Sequence, residues 1–167
     1  MSDQLTIGMA QIAPVWLHKD ATLIKVKDTI VEAARNKAEL VVFGEAVLPG
    51  YPFWVSLTDG ARFDSKVQKK LHAHYCKNAV LIEDGDLDSI CKLAKQLKVA
   101  VYLGLIERAK DRGSHSLYCS LVYINQKGII SSVHRKLQPT YEERLTWASG
   151  DGHGLVVHKI KSLLPGG

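Results

Sequence analysis

The sequence predicts an α/β fold, a sheet with helices layered on it, and three observations carry that expectation. The chain opens strand–helix–strand: apolar residues 5–12, a helical repeat after Asp20, then apolar Leu40–Phe43. A second helical repeat over residues 87–97 runs directly into a strong strand over 99–106. Residues 116–125 and 129–134 then flank the turn Gln126-Lys127-Gly128, the pattern of a β-hairpin.

Residues 5–12 read as a buried strand that ends at Pro14. Asp20-Ala21-Thr22 can start a helix, and Leu23, Val26, Ile30, Val31 and Ala34 recur behind it at helical spacing with charges between. The return to Leu40–Phe43 makes the opening β-α-β, which predicts a parallel strand pair with a right-handed crossover. Residues 44–61 are punctuated by Pro and Gly and read as a long loop with aromatic Tyr51, Phe53 and Trp54. A mixed, basic helix is expected over about residues 64–75. In 87–97, Leu87, Ile90, Cys91, Ala94 and Leu97 share one face. After the hairpin, residues 136–154 are irregular and polar, and 155–160 read as one more strand. No internal repeat, low-complexity tract or linker interrupts the chain.

A chain of 167 residues with 46% hydrophobic and 23% charged residues can build one domain with its own core. The net charge of +5 is spread among acids, and the densest basic run, Lys66-Val67-Gln68-Lys69-Lys70, reads as one face of a surface helix. Nucleic acid is therefore not an expected partner. No apolar stretch reaches the length of a membrane span, and because Met1-Ser2-Asp3-Gln4 leads straight into an apolar segment no signal peptide is expected. The three cysteines, Cys76, Cys91 and Cys119, are widely spaced and form no Cys-x-x-Cys pair, so neither a metal site nor a redox pair is signalled. A reducing, cytoplasmic setting is expected. His153 and His158 read as surface or strand histidines rather than ligands.

Two segments carry chemistry. Gly44-Glu45-Ala46-Val47-Leu48-Pro49-Gly50-Tyr51-Pro52 follows the apolar strand Leu40–Phe43. A carboxylate at the end of a buried strand, before a Pro/Gly break, is presented at a sheet edge to a loop-built cleft, where it can serve as a general base. By position alone Glu45 also reads as a solvated loop residue or a helix cap. Lys136 leaves the strand over 129–134 in the same way, within His134-Arg135-Lys136-Leu137-Gln138-Pro139-Thr140-Tyr141-Glu142-Glu143-Arg144. A lysine there can stabilise a developing anion, or it is a plain surface lysine.

Together these segments resemble the nitrilase branch of the carbon–nitrogen hydrolase superfamily. The run from Glu45 to Pro52 is similar to the family phrase that holds its general base. The run from His134 to Arg144, continued by Trp147 and Gly150-Asp151-Gly152, is similar to the segment with the family's lysine. The resemblance implies a nitrilase-like α-β-β-α layered sandwich, with residues 5–167 as roughly its N-terminal half. It implies hydrolysis of a nitrile to carboxylic acid and ammonia through a Glu-Lys-Cys triad. Glu45 is then the base, Lys136 the electrostatic stabiliser, and Glu143, rather than its neighbour Glu142, the second glutamate that orients the lysine. No metal or organic cofactor is called for.

The family cysteine sits in Gly-Gly-Leu-Ile-Cys-Trp-Glu, and Gly166-Gly167 matches only its opening glycines, so the resemblance implies that the nucleophile lies just past Gly167 and none is expected within this chain. Cys76, Cys91 and Cys119 are each expected to be structural. Half a sandwich is expected to leave strand edges and apolar surface uncovered, so that the chain aggregates or pairs with another subunit or a separately encoded second half. The expected partners are a small nitrile and further copies in a homo-oligomer. A different class of reading is a catalytically inactive subunit that docks through Tyr51, Phe53, Trp54 and the helix near residues 66–75. Cyanide hydratase and amidase are the nearer alternatives within the superfamily.

Overall fold

The structure is a computed structural model, and residues 4–160 are described. Five strands form one sheet in the order β1-β2-β3-β4-β5: β1 (Ile7–Ala10), β2 (Leu40–Phe43), β3 (Ala100–Arg108), β4 (Leu117–Ile124) and β5 (Ile130–Arg135). β1, β2 and β3 run parallel, while β4 and β5 return antiparallel as the expected hairpin. The expected parallel pair is thus β1 with β2, joined through α1 (Lys19–Arg35). His18, not Asp20, caps α1, with its Nδ1 accepting from Ala21 N–H.

Strand alternation sends side chains to two faces with different fates. One face carries Val41 and Phe43 of β2, Val101, Leu103 and Leu105 of β3, and Val122 and Ile124 of β4. It is covered by Val26 and Ile30 of α1 and by Ile90 and Ala94 of the later helix Asp88–Leu97, all fully buried. Each large aliphatic side chain taken out of water there contributes about 1.5–3 kcal/mol before the entropy of ordering it is counted. The other face is largely open. Met9 is 89% exposed, and Ile7 and Leu121 also reach solvent.

Two expectations are corrected here. Residues 5–12 are not a buried strand: β1 spans only Ile7–Ala10, and it is an edge strand with Ile7 and Met9 on the open face. Residues 155–160 form no strand. Among the described residues they make no ladder bonds to a neighbouring strand and instead cross the open face. There His158 stacks on Tyr123 with ring centroids 4.0 Å apart, its Nε2 lies 2.7 Å from Ser132 Oγ, and Ile160 packs near Leu40 and Tyr123. Apolar alternation marks a segment able to pair, but only an available edge makes it a strand.

The stretch read as a loop over 44–61 contains a short helix, α2 (Trp54–Leu57), followed by α3 (Lys66–Asn78), which Ser65 caps, and α4 (Asp88–Leu97). Trp54 is buried in a second apolar cluster with Tyr75, Ile106 and Trp147. It is therefore core, not the docking residue the sequence allowed. The family sandwich was expected to have four layers. The described residues supply one sheet, with α1 and α4 on one face and α2 and α3 packed against Ile106 at one end of the other.

Candidate active site

Glu45, Lys136 and Glu143 lie far apart in sequence and meet at the end of the sheet. Lys136 Nζ sits 2.7 Å from Glu45 Oε1 and 2.9 Å from Glu143 Oε2, so one ammonium bridges both carboxylates. Among the described residues Glu142 makes no such contact.

Each of the three is held by backbone. Beyond β2 the chain turns at Glu45-Ala46, with Ala46 at φ 52°, and then runs along β3. Leu48 N–H donates to Gly104 O at 3.3 Å, and the Leu48 carbonyl accepts from Ile106 N–H at 2.8 Å. Lys136 is fixed on both sides, its N–H donating to Cys119 O at 2.7 Å and its carbonyl accepting from Gly150 N–H at 2.9 Å. Glu143 sits in the 3-10 turn Tyr141–Leu145 and forms a capping box with Thr140, whose N–H donates to Glu143 Oε2 at 2.7 Å.

The carboxylates are not equivalent. Glu143 is 6% exposed and fully engaged, by Thr140 N–H, Thr140 Oγ1, Lys136 and the Tyr51 hydroxyl at 3.1 Å. Burial alone would raise its pKa, but those donors outweigh it and hold Glu143 below the usual carboxylate range. Glu45 is 48% exposed and faces a cleft lined by Val42, Phe43, Gly104, Cys119, His134 and Lys136. Burial would lower the Lys136 ammonium, yet hydrogen bonds and charge from Glu45 and Glu143 overcome it and raise Lys136 above the ordinary lysine range. Burial, then the bond to Glu143, pushes Tyr51 up to about 12. The arrangement therefore offers a permanent cation between a locked carboxylate and an accessible one. Such a set can pass a proton through Glu45 while Lys136 faces developing negative charge.

Three further residues join the site. Tyr51 packs edge-on to Trp147 at 5.4 Å, and Lys136 Nζ lies 5.6 Å from the Trp147 ring. Both aromatics stand inside the segments that carried the resemblance, so their part was within reach of the sequence. Cys119 was not. It was expected to be structural, and its Sγ lies 3.5 Å from Glu45 Oε1. Burial, followed by the charge of Glu45, raises this thiol strongly, which disfavours the thiolate a nucleophile needs. Cys76 and Cys91 lie away from the site, and burial raises both thiols. Among the described residues no group of three or more His, Cys, Asp or Glu could hold a metal ion.

The chain thus gathers a charge-bridged Glu-Lys-Glu cluster at the end of an α/β sheet. Comparison with known proteins names the family: residues 6–163 match the carbon-nitrogen hydrolase family model, and the chain belongs to that family. It is 36% identical over 156 residues to a protein named nitrilase 2 from an unknown prokaryotic organism, covering 93% of this chain and 48% of that protein. It is 38% identical over 154 residues to an arylacetonitrilase of Aspergillus kawachii, covering 92% and 43%. An amidase from Nesterenkonia sp. AN1 superposes with TM-score 0.61 at 16% identity, over 88% of this chain and 49% of that one. A carbon-nitrogen hydrolase from Helicobacter pylori G27 superposes with TM-score 0.60 at 22% identity, over 88% and 45%. These two likenesses show the fold. The chain spans about half the length of the curated relatives it matches. No described helix is long and apolar enough to cross a membrane.

Proposed function

We propose that this chain supplies the base, the lysine and the second glutamate of a nitrile-hydrolysing site, and that the cysteine comes from the segment that follows Gly166-Gly167 in the family pattern. The observation that carries the reading is the single ammonium of Lys136 bridging Glu45 and Glu143. In this mechanism Glu45 takes the proton of the incoming thiol as sulfur adds to the nitrile carbon, giving a thioimidate. Lys136 stabilises the charge that builds on nitrogen and then on oxygen in the tetrahedral species. Glu143 holds Lys136 in place. Glu45 next activates water, ammonia leaves, and a second water cleaves the thioester to the acid. The names of the curated relatives favour nitriles, aryl-substituted ones included, over amides. A cytoplasmic homo-oligomer is part of the same reading.

The test is ammonia release from phenylacetonitrile by the 167-residue chain alone and by the chain co-expressed with a polypeptide that supplies the cysteine segment. The expected result is no turnover alone and turnover in the complex, with acid rather than amide as the product. Turnover by the chain alone would assign the nucleophile to a cysteine within it. An inert complex that still assembles would favour a non-catalytic subunit.

A further inference from the structure

We infer that β3 and β4 seat the Glu45 carboxylate from beneath, Gly104 giving it room and the Cys119 thiol giving it a neutral hydrogen-bond donor; this rests on the reading of Glu45 as the base. The two residues stand on the same face of neighbouring strands. Gly104 pairs with Leu121, and Cys119 pairs with Ile106, two residues along each strand.

Gly104 lies in the middle of a strand flanked by Leu103 and Leu105, where glycine weakens the sheet itself. The space explains it. A Cβ at Gly104 would drive into the carbonyl oxygen of Gly44 and come within 3.0 Å of Glu45 Cα. Both obstacles are backbone, so neither can swing aside. Any larger residue must lift the turn that carries Glu45 off the sheet.

Cys119 supplies the second half of the seat. Glu45 Oε1 receives Lys136 Nζ at 2.7 Å and Cys119 Sγ at 3.5 Å. Among the described residues both donors converge on Oε1, which leaves Oε2 to accept a proton. The groups facing the thiol are Glu45, Lys136, Glu143, the buried Tyr75 of α3 and, along the same cleft, His134. Burial and the neighbouring carboxylate keep the sulfur protonated through neutral pH, and a protonated thiol donates rather than attacks. Cys119 is thus a positioning residue, and its backbone does the same for the lysine through the bond from Lys136 N–H.

The experiment is alkylation of the native chain by iodoacetamide across pH 7–10, with the three cysteines resolved by peptide mass spectrometry. Cys119 is expected to react at least tenfold more slowly than Cys91. Glu45→Gln should speed Cys119 several-fold and shift its pH profile down while Cys76 and Cys91 keep their rates. Gly104→Ala should speed Cys119 selectively in the same way. Acceleration of all three together would mean general loosening and would overturn the role of Gly104, and a Cys119 profile indifferent to Glu45→Gln would overturn the contact. Hydrogen exchange of residues 44–48 gives a second readout: Cys119→Ala should quicken it and Cys119→Ser, which keeps a donor, should restore it. Equal exchange in both variants would overturn the donor role. None of these readouts needs hydrolysis, so they stand or fall separately from the base assignment, which turnover by Glu45→Gln decides.

Discussion

Arg135 and Lys136 are neighbours at the end of β5, yet they leave the sheet on opposite faces and finish in different kinds of ion cluster. Arg135 turns to the helix-bearing side. It meets Glu107 through two hydrogen bonds, 2.9 Å from Nε and 2.7 Å from Nη2, and stacks 4.3 Å from the Tyr118 ring. Ser120 Oγ donates to the same Glu107, and Asp151 lies 3.7 Å from the guanidinium. Glu107 and Arg135 are 4% and 13% exposed, so this pair is closed to water. Lys136 turns to the open side and shares one flexible ammonium between two carboxylates, one of them half exposed. The planar guanidinium fits a fixed bidentate task across three strands, whereas a point charge on a mobile stem fits a site where charge must be met wherever it develops. The first cluster secures the strand end, and the second uses it.

This contrast can be broken most directly at Lys136. In the assembly that supplies the cysteine, Lys136→Ala should cut nitrile turnover about 10²–10³-fold, as loss of a charge-stabilising group does elsewhere, with a smaller fall in the urea midpoint than at Arg135. Turnover within tenfold of the parent would return Lys136 to the status of a surface lysine. Arg135→Ala should do the opposite. Removing one partner of a buried pair strands the other, at a cost of about 3–5 kcal/mol, read from the urea midpoint. Arg135→Lys should recover only part of it, because the second bond of the fork is lost.

A smaller effect sharpens the comparison through pH. Glu143 is held below the usual carboxylate range, so its contribution is present above its unfolded value near about 4.3 and is lost as pH falls through the lower folded value. Lys136 is raised, so its contribution is full below its unfolded value near about 10.4 and is lost as pH rises through the folded one. Urea midpoints across pH should therefore fall at both extremes, and the alkaline fall should vanish in Lys136→Met. The least effect is expected on the open face. Met9→Thr should change stability by no more than about 0.5 kcal/mol, because its side chain has little to lose. A larger loss would mean that something covers this face in solution.

Much of this was legible in the sequence. Apolar runs, turn residues and helical spacing located all five strands, α1, α3 and α4, and the strand-end positions of Glu45 and Lys136 followed from apolar runs that stop abruptly. The choice of Glu143 over Glu142 came from the resemblance, and the capping box with Thr140 supplies its physical basis. What sequence reading missed depends on register. Cys119 was read as a buried strand residue, and it is one. That it also touches Glu45 requires knowing that β4 lies beside β3 and β5, with Cys119 on the face that carries Lys136.

The sequence by itself determined the order of the elements, the parallel opening, the hairpin and the chemistry-bearing segments, because local spacing, turn residues and strand ends are written in consecutive residues. Only the tertiary structure decided which charges share an ammonium, which face of the sheet is left open, and that residues 155–160 lie across that face instead of extending an edge. Those outcomes depend on which surfaces are free when the strands come together, and no stretch of neighbouring residues contains that information.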